Sequence, residues 1–206
     1  MFLHLQPRHY FKKNTHYYIC SFGGCGSWIL AQYLSNFGIV HHVHSRTPPS
    51  PNLTTVQNEH FTSVPVSTSS NHVVLYIYRD PVAALYSVQR RFNLSDHFRN
   101  IECAKSLATL DTIAEAQQDV IDIGSFDKNY TTFNPARKYR IYCLKYEQFF
   151  DHLPEFNRTL GLINYPKLYP VKKEMTRKSG ENSAKLETVY EGLKKNMQQR
   201  PFIFLS

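Results

Sequence analysis

Two hydrophobic rhythms alternate along this chain, one of short apolar runs and one of helical spacing, and their changes mark the elements. Tyr17–Phe22 (YYICSF) is an apolar run ending at a glycine pair, with the length and composition of a buried strand. Trp28, Leu30, Tyr33, Leu34 and Phe37 then recur at spacings that predict a helix over Ser27–Phe37 with one broad apolar face, ended by Gly38. Ile39–His44 (IVHHVH) is short and β-branched, a second strand, closed by Arg46-Thr47-Pro48-Pro49, where two prolines end regular structure. From Ser50 to Asn71 the chain is rich in Ser, Thr, Pro and Asn, a long connection with local structure expected around His60 and Phe61. Connections of this length within a compact domain often carry function. His72–Arg79 (HVVLYIYR) is the clearest strand. Asp80 follows as helix N-cap and Pro81 as the first residue of a helix running to Phe92.

The pattern weakens over residues 96–135, where one or two helices are expected between Phe98 and Val120. Lys138–Tyr146 (KYRIYCLKY) reads as a further strand, leading into helical Glu147–Leu153 and Glu155–Leu160, with Pro154 interrupting them. Leu186, Val189, Tyr190, Leu193 and Met197 lie at helical intervals and predict one C-terminal helix. Strands alternating with helices predict an α/β domain, a three-layer parallel sheet with helices on both faces. The reading is of one domain over 1–206, with 1–16 as an N-terminal extension. In such sheets ligands bind beyond the carboxyl ends of the strands.

Composition adds a sign to that expectation. A chain of 206 residues, 42% hydrophobic and 19% charged, has the make-up of a folded domain rather than a disordered one. The net charge of +8, from 24 Lys and Arg against 16 Asp and Glu, favours anionic partners: nucleotides, sulfated or phosphorylated substrates, or nucleic acid. The basic residues sit in dispersed pairs such as Lys12-Lys13, Arg90-Arg91, Lys172-Lys173 and Arg177-Lys178, so specific nucleic-acid binding is not expected. Cys20, Cys25, Cys103 and Cys143 show no metal-ligand spacing and no CxxC pair, so no metal is expected. Met1–His16 lacks an apolar segment of signal-peptide length, and no stretch approaches a membrane span. The expected setting is cytoplasmic and reducing, with the N-x-S/T sequences at Asn52, Asn93, Asn129 and Asn157 incidental.

Candidate chemistry concentrates at two strand ends. Gly23-Gly24-Cys25-Gly26-Ser27 joins a buried strand to a helix. Its glycines let several backbone N–H groups approach an anion, while the helix N-terminus and the Ser27 hydroxyl add donors. A tight turn with no ligand is the alternative that the glycines alone leave open. No lysine precedes Ser27, so the G-x-x-x-x-G-K-[ST] pattern is absent and ordinary ATP or GTP hydrolysis is disfavoured. At the second strand end Arg79 leaves the sheet, and Ser87 follows about two helical turns later. A guanidinium and a hydroxyl so spaced can grip one phosphate, against the alternative of a surface ion pair and a solvated serine.

Together these segments resemble the sulfotransferases that use 3′-phosphoadenosine 5′-phosphosulfate (PAPS). Gly24-Cys25-Gly26-Ser27-Trp28 is similar to their phosphosulfate loop, and Arg79-Asp80-Pro81 with Ser87 matches their R-[ND]-P…Ser element without a gap. Tyr146-Glu147 is similar to a Tyr-Glu pair that helps hold the adenine. Arg177-Lys178-Ser179-Gly180 looks like their R-K-G, one residue out of register. The matches run in the family's order from about residue 17 to 195. In the wording of Phe22–Ser27 (FGGCGS) and His42–Pro49 (HVHSRTPP) the chain looks like small sulfotransferase-like proteins of large DNA viruses and some microbes.

The resemblance implies a P-loop-NTPase-like sulfotransferase fold and a viral setting in a host cell as one possible origin. It implies PAPS as donor, held by Gly23, Gly24, Cys25, Gly26, Ser27, Trp28, Arg79, Ser87, Tyr146, Arg177, Lys178, Ser179 and Gly180. The sulfonyl group would pass to a hydroxyl or amine of a small molecule, glycan or protein, with 50–71 and 96–135 on the acceptor side. Such a step needs in-line positioning, donors for the leaving oxygen and a base, which in the family is commonly His or Glu. His44, just before the Pro-Pro break, is the first candidate base. His42 alternates onto its side and His41 onto the other, while His60 is a rival by its spacing before Arg79. The family's loop Lys or Arg is here Gly23 or Gly24, a loss of about 3 kcal/mol of transition-state stabilisation unless Arg46, Lys12 or Lys13 replaces it. The alternatives are a relative that binds PAPS or its product with little or no turnover, and another P-loop phosphotransferase. Cys25, near a helix N-terminus, is expected to have a lowered thiol pKa, yet direct transfer in the family makes it a small filler.

Overall fold

The computed structural model describes residues 15–44, 55–57, 63–65, 71–91, 93–100, 141–162 and 181–205. Strand β1 (Thr15–Ser21) leads into helix α1 (Ser27–Leu34) and strand β2 (Ile39–His44). Two short strands, β3 (Thr55–Gln57) and β4 (Ser63–Pro65), pair antiparallel as a separate sheet within the long connection. Next come β5 (Asn71–Tyr78), α2 (Pro81–Gln89), α3 (Leu94–Asn100), β6 (Ile141–Lys145), α4 (Tyr146–Phe149) and α5 (Leu153–Leu160). The chain closes with α6 (Glu181–Val189), α7 (Glu191–Gln199) and β7 (Ile203–Leu205).

The main sheet has the order β2-β1-β5-β6-β7. Its first four strands are parallel and β7 is antiparallel to β6. Apart from His16 every β1 residue is buried, and so are Val74–Tyr78 of β5. Burial on both faces is what a parallel sheet requires, and it explains why these strands read as unbroken apolar runs. From β1 the chain steps outward to β2, then returns across β1 to β5. The order reverses there, which makes the carboxyl ends of β1 and β5 a topological switch point, the place where sheets of this kind bind ligands.

Several local details differ from the sequence reading. Trp28 leaves the apolar face and is 55% exposed. Ser27, Leu30, Ala31 and Leu34 form the buried stripe of α1, and Trp28 lies about 100° around from Ser27. Pro154 starts α5 instead of interrupting a helix, because its missing N–H costs nothing in a first turn. The C-terminal pattern is two helices, with buried Tyr190 between them. Leu186, Leu193 and Met197 still face inward, so the apolar stripe survives the break. β1 also takes in Thr15 and His16, and α3 begins before Phe98. Asn157 is buried and accepts a hydrogen bond from Tyr33 Oη at 2.8 Å, tying α5 to α1. Among the described residues no helix is long and apolar enough to cross a membrane.

Candidate anion site at the switch point

The loop between β1 and α1 is pressed against its neighbours. Gly24 and Gly26 have left-handed backbones, φ 66° and 78°. A Cβ on Gly24 would lie 2.4 Å from the Ala84 carbonyl oxygen, and one on Gly26 would lie 2.0 Å from the Tyr146 ring. Glycine is thus needed for the loop to seat on α2 and α4. Gly26 is also the N-cap of α1 and offers no side-chain cap, which leaves first-turn amides for another acceptor. Cys25 is buried, its thiol donating to the Gly23 carbonyl at 3.1 Å. Burial pushes that thiol up to about 12, outweighing the opposite pull of Arg79. The lowered pKa expected from the helix end is therefore reversed by desolvation.

Ser27 is buried, accepts from Ser21 Oγ at 3.2 Å, and its Oγ lies 2.7 Å from His42 Nε2. The alternation along β2 separates its histidines as the pleat requires. His42 faces α1, with its ring centre 6.0 Å from that of Trp28. His41 turns to the other face, where Nε2 lies 3.0 Å from His16 Nδ1 and the ring stacks on Tyr18 at 4.6 Å. His44 ends β2 in register with Ser21. Lys12, Lys13, Arg46, His60, Arg177, Lys178, Ser179 and Gly180 lie outside the described residues.

Arg79 leaves β5 buried, not as a surface residue. Its Nη1 donates to the Gly24 carbonyl at 3.2 Å, and the guanidinium carbon lies 5.1 Å from the Tyr146 ring centre. Its Nε is 3.6 Å from Glu147 Oε1 and has no hydrogen-bond acceptor among the described residues. Ser87, also buried, accepts from Arg91 Nη2 at 2.7 Å, while Arg91 Nε donates to the Ser87 carbonyl at 3.1 Å. Arg91 is the residue that sequence reasoning missed here. Its signal was available, since four residues is one helical turn. Partial desolvation first, then the charge of Arg90 and, more weakly, that of Arg79, hold Arg91 below its ordinary pKa. Three guanidinium groups thus share one neighbourhood.

A cavity of about 480 Å³ opens where β5 and β6 end, walled by Arg79, Asp80, Glu147, Gln148, Lys194 and Met197 among others. Asp80 caps α2, accepting from the Ala83 N–H at 2.8 Å, and its own N–H donates to Glu147 at 2.9 Å. Lys194 of α7 pairs with Asp80 at 2.6 Å and with Glu187 of α6. Burial lowers the Lys194 pKa, but the hydrogen bonds to Asp80 and Glu187 outweigh it and leave it raised. Gln148 Oε1 is buried without a hydrogen-bond partner among the described residues. Among the same residues no group of three or more His, Cys, Asp or Glu is placed to hold a metal ion.

No protein-family model matches the chain, and neither curated proteins nor solved structures yield a match.

Proposed function

We propose that this chain is a PAPS-dependent sulfotransferase that moves a sulfonyl group to a hydroxyl or amine acceptor. One observation carries the reading. The glycine loop, Arg79-Asp80-Pro81 and Tyr146-Glu147 follow the carboxyl ends of three adjacent parallel strands, β1, β5 and β6. Strand spacing puts the outer two about 10 Å apart, a span suited to a nucleotide laid across the switch point. Right-handed crossovers on either side of β1 favour α1 and α2 on opposite faces, which supports a three-layer, P-loop-like arrangement.

In this reading the amides of Gly23–Ser27 hold the phosphosulfate. The orphan Nε of Arg79, with Arg91 and Ser87, meets the 3′-phosphate. Mutually repelling guanidinium groups gain from an anion between them, and a bidentate contact is the strong form of that bond. The cavity beside Glu147 and Gln148 receives the adenine, with Gln148 Oε1 accepting from its amine. The acceptor oxygen or nitrogen attacks sulfur as the bond from sulfur to the bridging oxygen breaks. Adenosine 3′,5′-bisphosphate leaves, and the acceptor's proton passes to a histidine, His44 first.

A binding relative without turnover is the second reading, and the loop itself favours it: Gly23 and Gly24 stand where a cation would meet the leaving oxygen. Thermal unfolding with ligands tests the donor assignment. Adenosine 3′,5′-bisphosphate should stabilise the chain well beyond ATP, which lacks the 3′-phosphate, and Arg91→Ala should erase the difference. Equal stabilisation by the two nucleotides contradicts the assignment. Transfer of label from PAPS across an acceptor panel then separates enzyme from binder.

A further inference from the structure

Ser27 is held where the glycine loop becomes α1, and two of its hydrogen-bond positions are already taken, by Ser21 Oγ at 3.2 Å and His42 Nε2 at 2.7 Å. A serine hydroxyl has one proton to give and two lone pairs to receive with. When His42 is neutral with its proton on Nδ1, Ser27 must donate to Nε2, and the hydroxyl turns a lone pair toward any anion on the loop. When Nε2 is protonated the bond reverses. His42 then donates to Ser27, Ser21 donates into the second lone pair, and the Ser27 proton is released for a third partner.

We infer that His42 is a positioning residue that switches the Ser27 hydroxyl between these two directions, making anion binding at the glycine loop tighter as histidine becomes protonated. The inference rests on the reading of the loop as a cradle for phosphate or sulfonate oxygens, but not on any reaction there. It differs from a base role, because His42 acts through Ser27 and not on an acceptor.

The neighbouring groups narrow what else could produce such a dependence. Among the described residues, Ser27 and Trp28 face His42 from α1, and Ser21 reaches it through Ser27 from β1; none of these three titrates between pH 5 and 8. The buried Cys25 thiol stays protonated, pushed up to about 12. Arg79 donates to the Gly24 carbonyl. His97 packs against Gly23, but burial brings it down to about 4, below the window. His16 and His41 pair on the opposite face of the sheet.

Inorganic sulfate is a suitable probe, since it remains a dianion from pH 5.5 to 8. Calorimetry on the full chain at constant ionic strength should show binding about tenfold tighter at pH 5.5 than at pH 8, the scale of one charge-assisted hydrogen bond. His42→Gln should flatten the profile and Ser27→Ala should remove most of it, whereas His41→Gln should keep it. Reciprocity supplies a second readout on the unaltered chain: saturating sulfate must raise the NMR titration midpoint of the His42 imidazole. A His42→Gln profile as steep as the parent's, or a His42 midpoint unmoved by bound sulfate, overturns the switch while leaving the cradle standing. Sulfate that fails to bind at any pH, or that leaves the Gly23–Ser27 amide signals unmoved, overturns the cradle and the switch with it.

Discussion

At Gly26 an added methyl would meet the Tyr146 ring at 2.0 Å, on a backbone held at φ 78°. Gly161, at φ 66°, has open space around its missing Cβ. Alanine at Gly161 should therefore cost only the left-handed backbone, about 1 kcal/mol. Alanine at Gly26 adds a clash with a buried ring and should cost about 3 kcal/mol or more. Urea unfolding of the two variants checks this, and equal losses would mean that the loop is not pressed on Tyr146. Cys25 gives a second residue-scale outcome. With its thiol pushed up to about 12, it should resist a thiol reagent at pH 7.5 until the chain unfolds. Rapid labelling of the folded chain would contradict its burial. The Arg79-to-Ser87 spacing was readable in the sequence, but the partner of Ser87 was not. Position along a helix says which residues share a face. It does not say that Arg79 turns under the loop while Arg91 folds back one turn.

At the scale of elements, Lys194 joins three of them: α7, which carries it, α2 through Asp80 and α6 through Glu187. Lys194→Met keeps the aliphatic stem and removes the charge, leaving the Asp80 carboxylate short of its partner. A loss of about 1–3 kcal/mol is expected in urea unfolding. A loss below about 0.5 kcal/mol would show an ordinary surface pair. The elements that the pattern revealed are those whose burial is nearly complete. Tyr17–Cys20 of β1 and Val74–Tyr78 of β5 are covered on both faces, so these stretches are apolar without interruption. What the pattern hid has local causes. β7 has three residues, too few to show a period. The break at Tyr190 leaves the inward stripe unchanged, so spacing alone cannot reveal it. Pro154 is neutral at a helix start and harmful inside one, and only the surrounding fold decides which applies.

For the molecule as a whole, partly buried histidines with lowered pKa make stability fall in acid. Burial lowers His97 from 6.5 to about 4, outweighing its bond to the Phe22 carbonyl, and it lowers His16 and His41 as well. Unfolded chains take up these protons below about 6.5, while the folded chain resists until a lower pH. Stability is therefore full above about 6.5 and falls toward pH 4. The His97 interval alone is worth about 3 kcal/mol. His97→Phe should flatten much of that fall between urea midpoints at pH 7 and pH 4.5, and an unchanged slope would count against its burial. The α/β class, the parallel strands and the glycine loop were legible because each leaves a local signature. The crevice was legible only as an expectation, since it depends on which strands become neighbours. Nothing local in His72–Arg79 says that its strand lies beside β1, yet that adjacency is what brings Arg79 to Gly24. A crystal structure with adenosine 3′,5′-bisphosphate tests this arrangement most directly. It should show the 5′-phosphate on the Gly23–Ser27 amides and the 3′-phosphate against Arg79, Ser87 and Arg91. A nucleotide seated anywhere other than the carboxyl ends of β1, β5 and β6 would contradict it.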